Sequence, residues 1–211
     1  MNARHRGVEV WVEAVAPHLM LDESYAEKPD FEGAKYVMSP PLRHKRNQEV
    51  LWNGLRARSI STIGTDHAPF TFNDQKQMGR EAFTQIPNGI PTLQERVDLV
   101  HTYGVMQGKM SLNDMVDTCS TQAARIFGMY PKKGAIRIGS DADLVVYDPK
   151  ARGTFKCADG YTRADYCAYE GWDRIGRPSV VTVRGQVQAR NGKFVGTVGR
   201  GQFIRREATH G

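Results

Sequence analysis

Across "GVEVWVEAV" (7–15), Val8, Val10 and Val12 alternate with Glu9, Trp11 and Glu13, the period of two expected of a strand. A loop-rich stretch follows, in which Pro40 and Pro41 enforce an extended path. The spacing then turns helical in "HKRNQEVLWNGL" (44–55), with Val50, Leu51 and Leu55 as the buried stripe. "SISTIGTD" (59–66) reads as a second strand. Strand, helix, strand is the rhythm of a parallel sheet with crossover helices, so the first part of the chain is expected to be α/β.

Farther on, Pro91 and Thr92 precede Glu95 in the pattern of a capping box, with Leu93, Val97 and Val100 on one helical face. Ser111 is positioned to cap another helix, which carries Leu112, Met115, Val116, Cys119 and Ala123 and stops near Gly128. The pattern changes after "YPKKG" (130–134). Ile136 and Ile138 alternate, Gly139-Ser140-Asp141 forms a tight turn, and Leu144 to Val146 has the look of a buried run. In "SVVTVRGQVQARNGKFVG" (179–196), valines alternate and Asn191-Gly192 supplies a strong short hairpin signal. The second part is therefore expected to be an antiparallel β unit, with the junction between Tyr130 and Gly134.

Composition narrows the class. The chain has 211 residues, 40% of them hydrophobic, enough for a globular core. It has no apolar run of membrane-spanning length and no apolar signal region behind "MNARHRGVEV", so the expectation is a cytoplasmic protein without a membrane partner. Cys119, Cys157 and Cys167 are odd in number and lack CxxC spacing, which points to free thiols. The net charge of +6 is scattered over "RHKR", "PKK" and the arginines of the tail, so no nucleic-acid partner is expected.

Chemistry concentrates where the second strand ends. Ligands of parallel α/β folds gather at the carboxyl ends of strands, and Asp66 stands there with His67 beside it. A carboxylate at such a place binds a metal or carries a proton; a loop cap or turn former is the competing reading. Ser39 and Asn88, in loops rich in Pro and Gly, read from the residues alone as turn formers. Among the six histidines, His67 is expected in loop packing, and His5, His44, His101 and His210 on the surface.

The stretch "STIGTDHAPFTFNDQKQMGREAFTQIPNGIPTLQERV" resembles the last-strand segment of the dihydropyrimidinase and hydantoinase family, cyclic amidohydrolases of the amidohydrolase group. The resemblance extends through "PDFEGAKYVMSPPLR" upstream and "GSDADLVVYDP" and "GKFVG" downstream, which is essentially the whole chain. It implies an α/β fold: the last part of a (β/α)8 TIM-type barrel over 1–133, part of a small β-sandwich over 134–199, and a tail over 200–211. It further implies two divalent metal ions, zinc in most members, bridged by a hydroxide. Asp66 matches the family's last metal ligand, which also passes a proton from the hydroxide to the departing amide nitrogen. Ser39 in "MSPPLR" and Asn88 in "IPNGIP" match positions that bind a cyclic ureide or imide substrate, largely through backbone groups. His18 matches a position near the barrel mouth. The final "GQFIRR" resembles a protomer-contacting tail, implying a homodimer or homotetramer.

The family's other ligands are a His-x-His pair, a carbamylated lysine and two further histidines, and no matching motif occurs in this chain. The expectation is thus the carboxyl-terminal portion of a longer enzyme, with open sheet edges, neither binding metal nor hydrolysing substrate alone. Two alternatives stay open: allantoinase or dihydroorotase specificity, and a non-catalytic structural role like that of the collapsin-response mediator proteins. The second is disfavoured by the presence of Asp66 and the Asn88 segment.

Overall fold

The computed structural model describes residues 2–207. After a short helix α1 (Asn2–His5), strand β1 (Glu13–Val15) leads directly into α2 (Ala16–Met20), which Pro17 opens. Helix α3 (Arg46–Arg56) crosses back, and β2 (Thr62–Gly64) lies parallel to β1 in the register Glu13 to Thr62. This is the expected strand–helix–strand unit. The first strand is shorter than its pattern predicts. Val8, Trp11 and Val12 remain 51%, 50% and 42% exposed, and among the described residues the only ladder contacts before β1 are those Val12 O accepts from Ser61 N and Thr62 N. Alternation makes a strand only where a neighbour supplies hydrogen bonds.

Helix α3 buries Trp52 and Leu55 against Ile60 and Ile63, whereas Val50, predicted to be buried, is 68% exposed. Val50 and Leu51 instead wall an open cleft. Helix α4 (Arg96–Leu99) continues into a π-helical segment, Val100–Val105. The capping box predicted from Thr92 and Glu95 is absent. Thr92 Oγ1 donates to Thr65 O, Glu95 makes no capping bond, and Leu93 lies outside the helix at 59% exposure.

The Ser111 prediction holds: α5 (Leu112–Val116) has a full capping box, with Ser111 and Asp114 bonding each other's backbone N–H. A π-helical turn, Asp117–Thr121, joins it to α6 (Gln122–Ile126). Gly128 then adopts φ +65° and Met129 N returns to Ala124 O, ending the helix where predicted.

Four antiparallel strands follow in the order β3 (Val145–Thr154), β4 (Asp173–Val183), β5 (Gln186–Arg190) and β6 (Lys193–Phe194). Asn191-Gly192 turns β5 into β6 with φ of +50° and +78°, as predicted; Arg184-Gly185 does the same between β4 and β5, at +48° and +75°. The supposed buried run is not buried, with Val145 and Val146 56% and 57% exposed. Ile136 and Ile138 are fully outside, at 89% and 102%. Both patterns are apolar on a face that the described residues leave uncovered.

The core joins both parts, drawing Leu19, Ile63 and Leu99 from the α/β part together with Phe155, Tyr169 and Ala168. His101, predicted at the surface, is 2% exposed because α4 and its π-helical continuation dock on β4: its Nδ1–H donates to Ile175 O at 2.7 Å. His5 and His44 are exposed as predicted, and His210 lies outside the described residues. All three cysteines are free thiols. No helix among the described residues is long and apolar enough to cross a membrane.

Candidate functional site

The carboxyl ends of β1 and β2 open into a cleft of about 640 Å³, a size suited to a small organic ligand. Asp66, Ser39 and His18 line it, with Glu13 on one side and Arg43 and His44 on another. Asp66 sits two residues beyond β2 at φ +51°, a left-handed conformation that Asp adopts more readily than most residues. Its side chain is exposed, and among the described residues its carboxylate forms no hydrogen bond or ion pair. The left-handed backbone thus presents an unengaged carboxylate to the cleft.

The segment carrying Asp66 is tied down on its far side. His67 pairs in parallel with Ile90, Thr92 Oγ1 bonds Thr65 O at 2.8 Å, and Arg96 reaches Ile63 O at 2.8 Å. His67 Nδ1 accepts from two backbone groups, Thr92 N at 3.0 Å and Leu93 N at 3.1 Å. Since both contacts are donors, Nδ1 is the bare nitrogen and Nε2 carries the hydrogen. Burial lowers the pKa of His67, favouring the neutral ring this arrangement requires. His67 thus satisfies the turn ahead of α4, the role the sequence had assigned to Thr92 and Glu95, and it packs as predicted. His67→Leu would strand two N–H groups; an urea-unfolding comparison is expected to show a loss of about 1–3 kcal/mol, and an unchanged midpoint would contradict this role.

Ser39 is exposed on the cleft wall, and the loop behind it is held by His18, whose Nε2 lies 3.2 Å from Pro40 O and 3.3 Å from Pro41 O. Both neighbours are acceptors, so Nε2 is protonated and His18 braces the loop. Asn88 does not line the cleft, but its segment adjoins Ser39: Gly89 N bonds Val37 O at 3.0 Å, two residues before Ser39. Gly89 also packs against the segment after Asp66, so closely that a Cβ there would collide with the Ala68 carbonyl.

One member of this region carried no sequence signal. Lys76 is completely buried, and its Nζ donates to Val37 O at 3.0 Å and Pro87 O at 2.7 Å. Burial pushes its pKa down to about 8. In the sequence it is an unremarkable lysine in a polar loop, and nothing local distinguishes it from a surface one.

As to metals, no three His, Cys, Asp or Glu side chains among the described residues stand together in a way that could hold an ion. A smaller depression of about 220 Å³ lies between Asp98 and Arg174, away from Asp66, and holds none of the predicted site residues.

Comparison with known proteins identifies the family. The model of the amidohydrolase family matches residues 15–188. This chain is a member of the amidohydrolase family. Over 205 residues the amidohydrolase chain is 46% identical to a D-hydantoinase of Geobacillus stearothermophilus, covering 97% of itself and 44% of that protein. Its structure matches a D-hydantoinase (dihydropyrimidinase) from Thermus sp. at 53% identity and a TM-score of 0.95, over 99% of this chain and 45% of the other. A dihydropyrimidinase from Brevibacillus agri matches at 45% identity and a TM-score of 0.96, over 100% of this chain and 45% of the other. The resemblance drawn from the sequence therefore holds, and the amidohydrolase chain spans a little under half the length of these relatives.

Proposed function

We propose that these residues form the carboxyl-terminal part of a hydrolase that opens a cyclic amide ring of the hydantoin or dihydropyrimidine type. The observation that carries this reading is the convergence of Asp66 and Ser39 on one cleft, at the carboxyl ends of parallel strands, in an amidohydrolase-family chain. Asp66 takes a proton from the attacking water and delivers it to the departing ring nitrogen. An exposed carboxylate with no competing partner among the described residues suits a group that must accept and release a proton in turn. Ser39 and Asn88 meet the planar ureide edge through their backbone groups, on segments that hydrogen bonds hold side by side.

The same reading divides the chain into the last part of a (β/α)8 barrel over 1–133, part of a β-sandwich over 134–199, and a tail over 200–211. The two parallel strands with their crossover helix and the separate antiparallel sheet support that division.

Members of the amidohydrolase family depend on metals. The donor set described above does not amount to such a site, since one carboxylate is a poor host for an ion that prefers about four ligands. Asp66 is proposed as one ligand to a pair of divalent ions, zinc by resemblance to the family, with the others outside the described residues.

Titration of the ¹⁵N-labelled 211-residue chain with hydantoin is expected to shift the amides of Ser39, Asn88 and Asp66. Shifts confined to other regions would overturn the proposed site. The same chain, dialysed against zinc and offered hydantoin or dihydrouracil, is expected to bind less than one ion per molecule and to leave the rings closed. Ring opening by the purified chain would refute the incomplete-site reading.

A further inference from the structure

We infer that Lys76 is a positioning residue for ring binding: its buried ammonium clamps the segment ending at Ser39 to the segment opening at Asn88 and so sets the spacing of their backbone groups. This deepens the reading of Ser39 and Asn88 given above and rests on it.

Three observations meet at this side chain. It is fully buried, yet no carboxylate among the described residues pairs with it, and burial alone accounts for its lowered basicity. A lysine is among the residues least often buried, and an unpaired buried ammonium is costly unless its donors are used. Its two resolved hydrogen bonds both go to backbone carbonyls, Val37 O at 3.0 Å and Pro87 O at 2.7 Å. Those carbonyls belong to different segments, one two residues before Ser39 and the other immediately before Asn88. The ring of Phe70, four residues beyond Asp66, lies 5.8 Å from Nζ and adds a weak electrostatic contact.

The bonding pattern explains why a lysine stands here and not an apolar residue of equal length. A methionine would fill the space but leave Pro87 O without its donor and Val37 O with Gly89 N alone, which among the described residues would then be the one hydrogen bond between the two segments. Three bonds across one junction fix a distance; one bond acts as a hinge. Recognition groups that are backbone N–H and C=O have no side-chain freedom with which to correct their spacing. Their affinity for a rigid planar ring therefore depends on how firmly the two segments are spaced.

The test uses the ¹⁵N,¹³C-labelled 211-residue chain and three variants, Lys76→Met, Lys76→Arg and Lys76→Gln. In the unaltered chain, couplings across the hydrogen bonds from Lys76 Nζ to the carbonyl carbons of Val37 and Pro87 are expected; their absence overturns the clamp without any variant having to fold. In Lys76→Met, hydrogen exchange at the Gly89 amide is expected to quicken about tenfold or more, as loss of bonds worth a tenfold factor dictates, while amides of β2 and α5 keep their rates. Hydantoin affinity should fall by about the same factor. Lys76→Arg, which retains donors, should recover part of both effects, and Lys76→Gln less.

Faster exchange spread evenly over the chain would show a general packing role and overturn the proposal. Unchanged hydantoin affinity alongside faster exchange at Gly89 would overturn the link to ring binding. If hydantoin shifts neither Ser39 nor Asn88 in the unaltered chain, the substrate reading itself fails; the coupling and exchange measurements then decide separately whether the clamp exists.

Discussion

Replacing Tyr169 with alanine is expected to lower the unfolding free energy of the chain by about 3–5 kcal/mol, whereas phenylalanine at the same position raises it by about 1 kcal/mol. Tyr169 is 0% exposed and lies at the centre of an aromatic group, with its ring 5.5 Å from that of Trp172 in an edge-on contact and 6.3 Å from that of Phe155. Trp172 in turn meets Tyr103 at 5.3 Å and Tyr25 at 6.2 Å. Truncation to alanine would open a cavity the size of a ring in the middle of this cluster, and aromatic pairs contribute beyond the area they bury. The hydroxyl is a different matter. It is buried without a hydrogen-bond partner among the described residues, and burial drives its pKa far above the ordinary tyrosine value. Removing an unsatisfied buried group while keeping the ring leaves the packing and deletes a desolvation cost.

Urea denaturation of the parent chain and both variants, compared at equal slope, measures this; a loss of stability in Tyr169→Phe would show that the hydroxyl has a partner. The position bears on the site as well. The segment that Tyr169 anchors holds Asp165, which accepts from Phe72 N at 2.6 Å and Asn73 N at 2.9 Å, and Tyr166, whose hydroxyl donates to Lys35 O at 3.0 Å. Those bonds brace the loop just ahead of Lys76 and the segment that leads to Val37, one of its acceptors.

Stability should also fall as pH rises from about 4 to about 6, because of Asp98. Burial pushes the Asp98 carboxyl up to about 6, against the hydrogen bond from Tyr147 Oη at 3.0 Å and the attraction of Arg174, Arg177 and His101, which act to lower it. In the unfolded chain the group titrates near 3.9. Between these values the folded protein retains a proton that the unfolded chain has released. The contribution of Asp98 is therefore most favourable below about pH 4, declines up to about pH 6 and is constant above. A shift of about two units corresponds to roughly 3 kcal/mol.

Asp98→Asn keeps an acceptor for Tyr147 and removes the charge, so its stability relative to the parent should improve over the same interval. Unfolding free energies measured at several pH values between 4 and 7 test this by difference, since other carboxylates titrate alike in both proteins. Parallel curves for the two would clear Asp98 of the effect. The group matters because it lies where α4 docks on the antiparallel sheet. There Tyr147, His101 and Thr102 connect the two parts, Thr102 Oγ1 donating to Asp98 O and accepting from Ile175 N.

Much of the local structure was legible in the residues. The Ser111–Asp114 cap, the helix stop at Gly128 and the Asn191-Gly192 turn are local devices, complete within a few residues, and the structure contains all three. The βαβ order around Asp66 was legible for the same reason, since alternation and helical spacing are local periodicities. The predictions that failed required knowledge of a neighbour. Whether Val145 and Val146 are buried depends on what covers their face, and whether His101 is buried depends on α4 docking against β4.

The candidate site divides in the same way. The sequence by itself determined the family, the place of Asp66 after a strand, and Ser39 and Asn88 as loop residues in matching motifs. Only the tertiary structure decided that Asp66 and Ser39 share a cleft, that the Asn88 segment is bonded beside Ser39, and that His67 satisfies the turn Thr92 had been expected to cap. It alone distinguished Lys76 from every other lysine. A hydrogen bond between residues 39 positions apart leaves no period or motif in either segment, because the cost of burying an ammonium is decided by which carbonyls the fold brings to it.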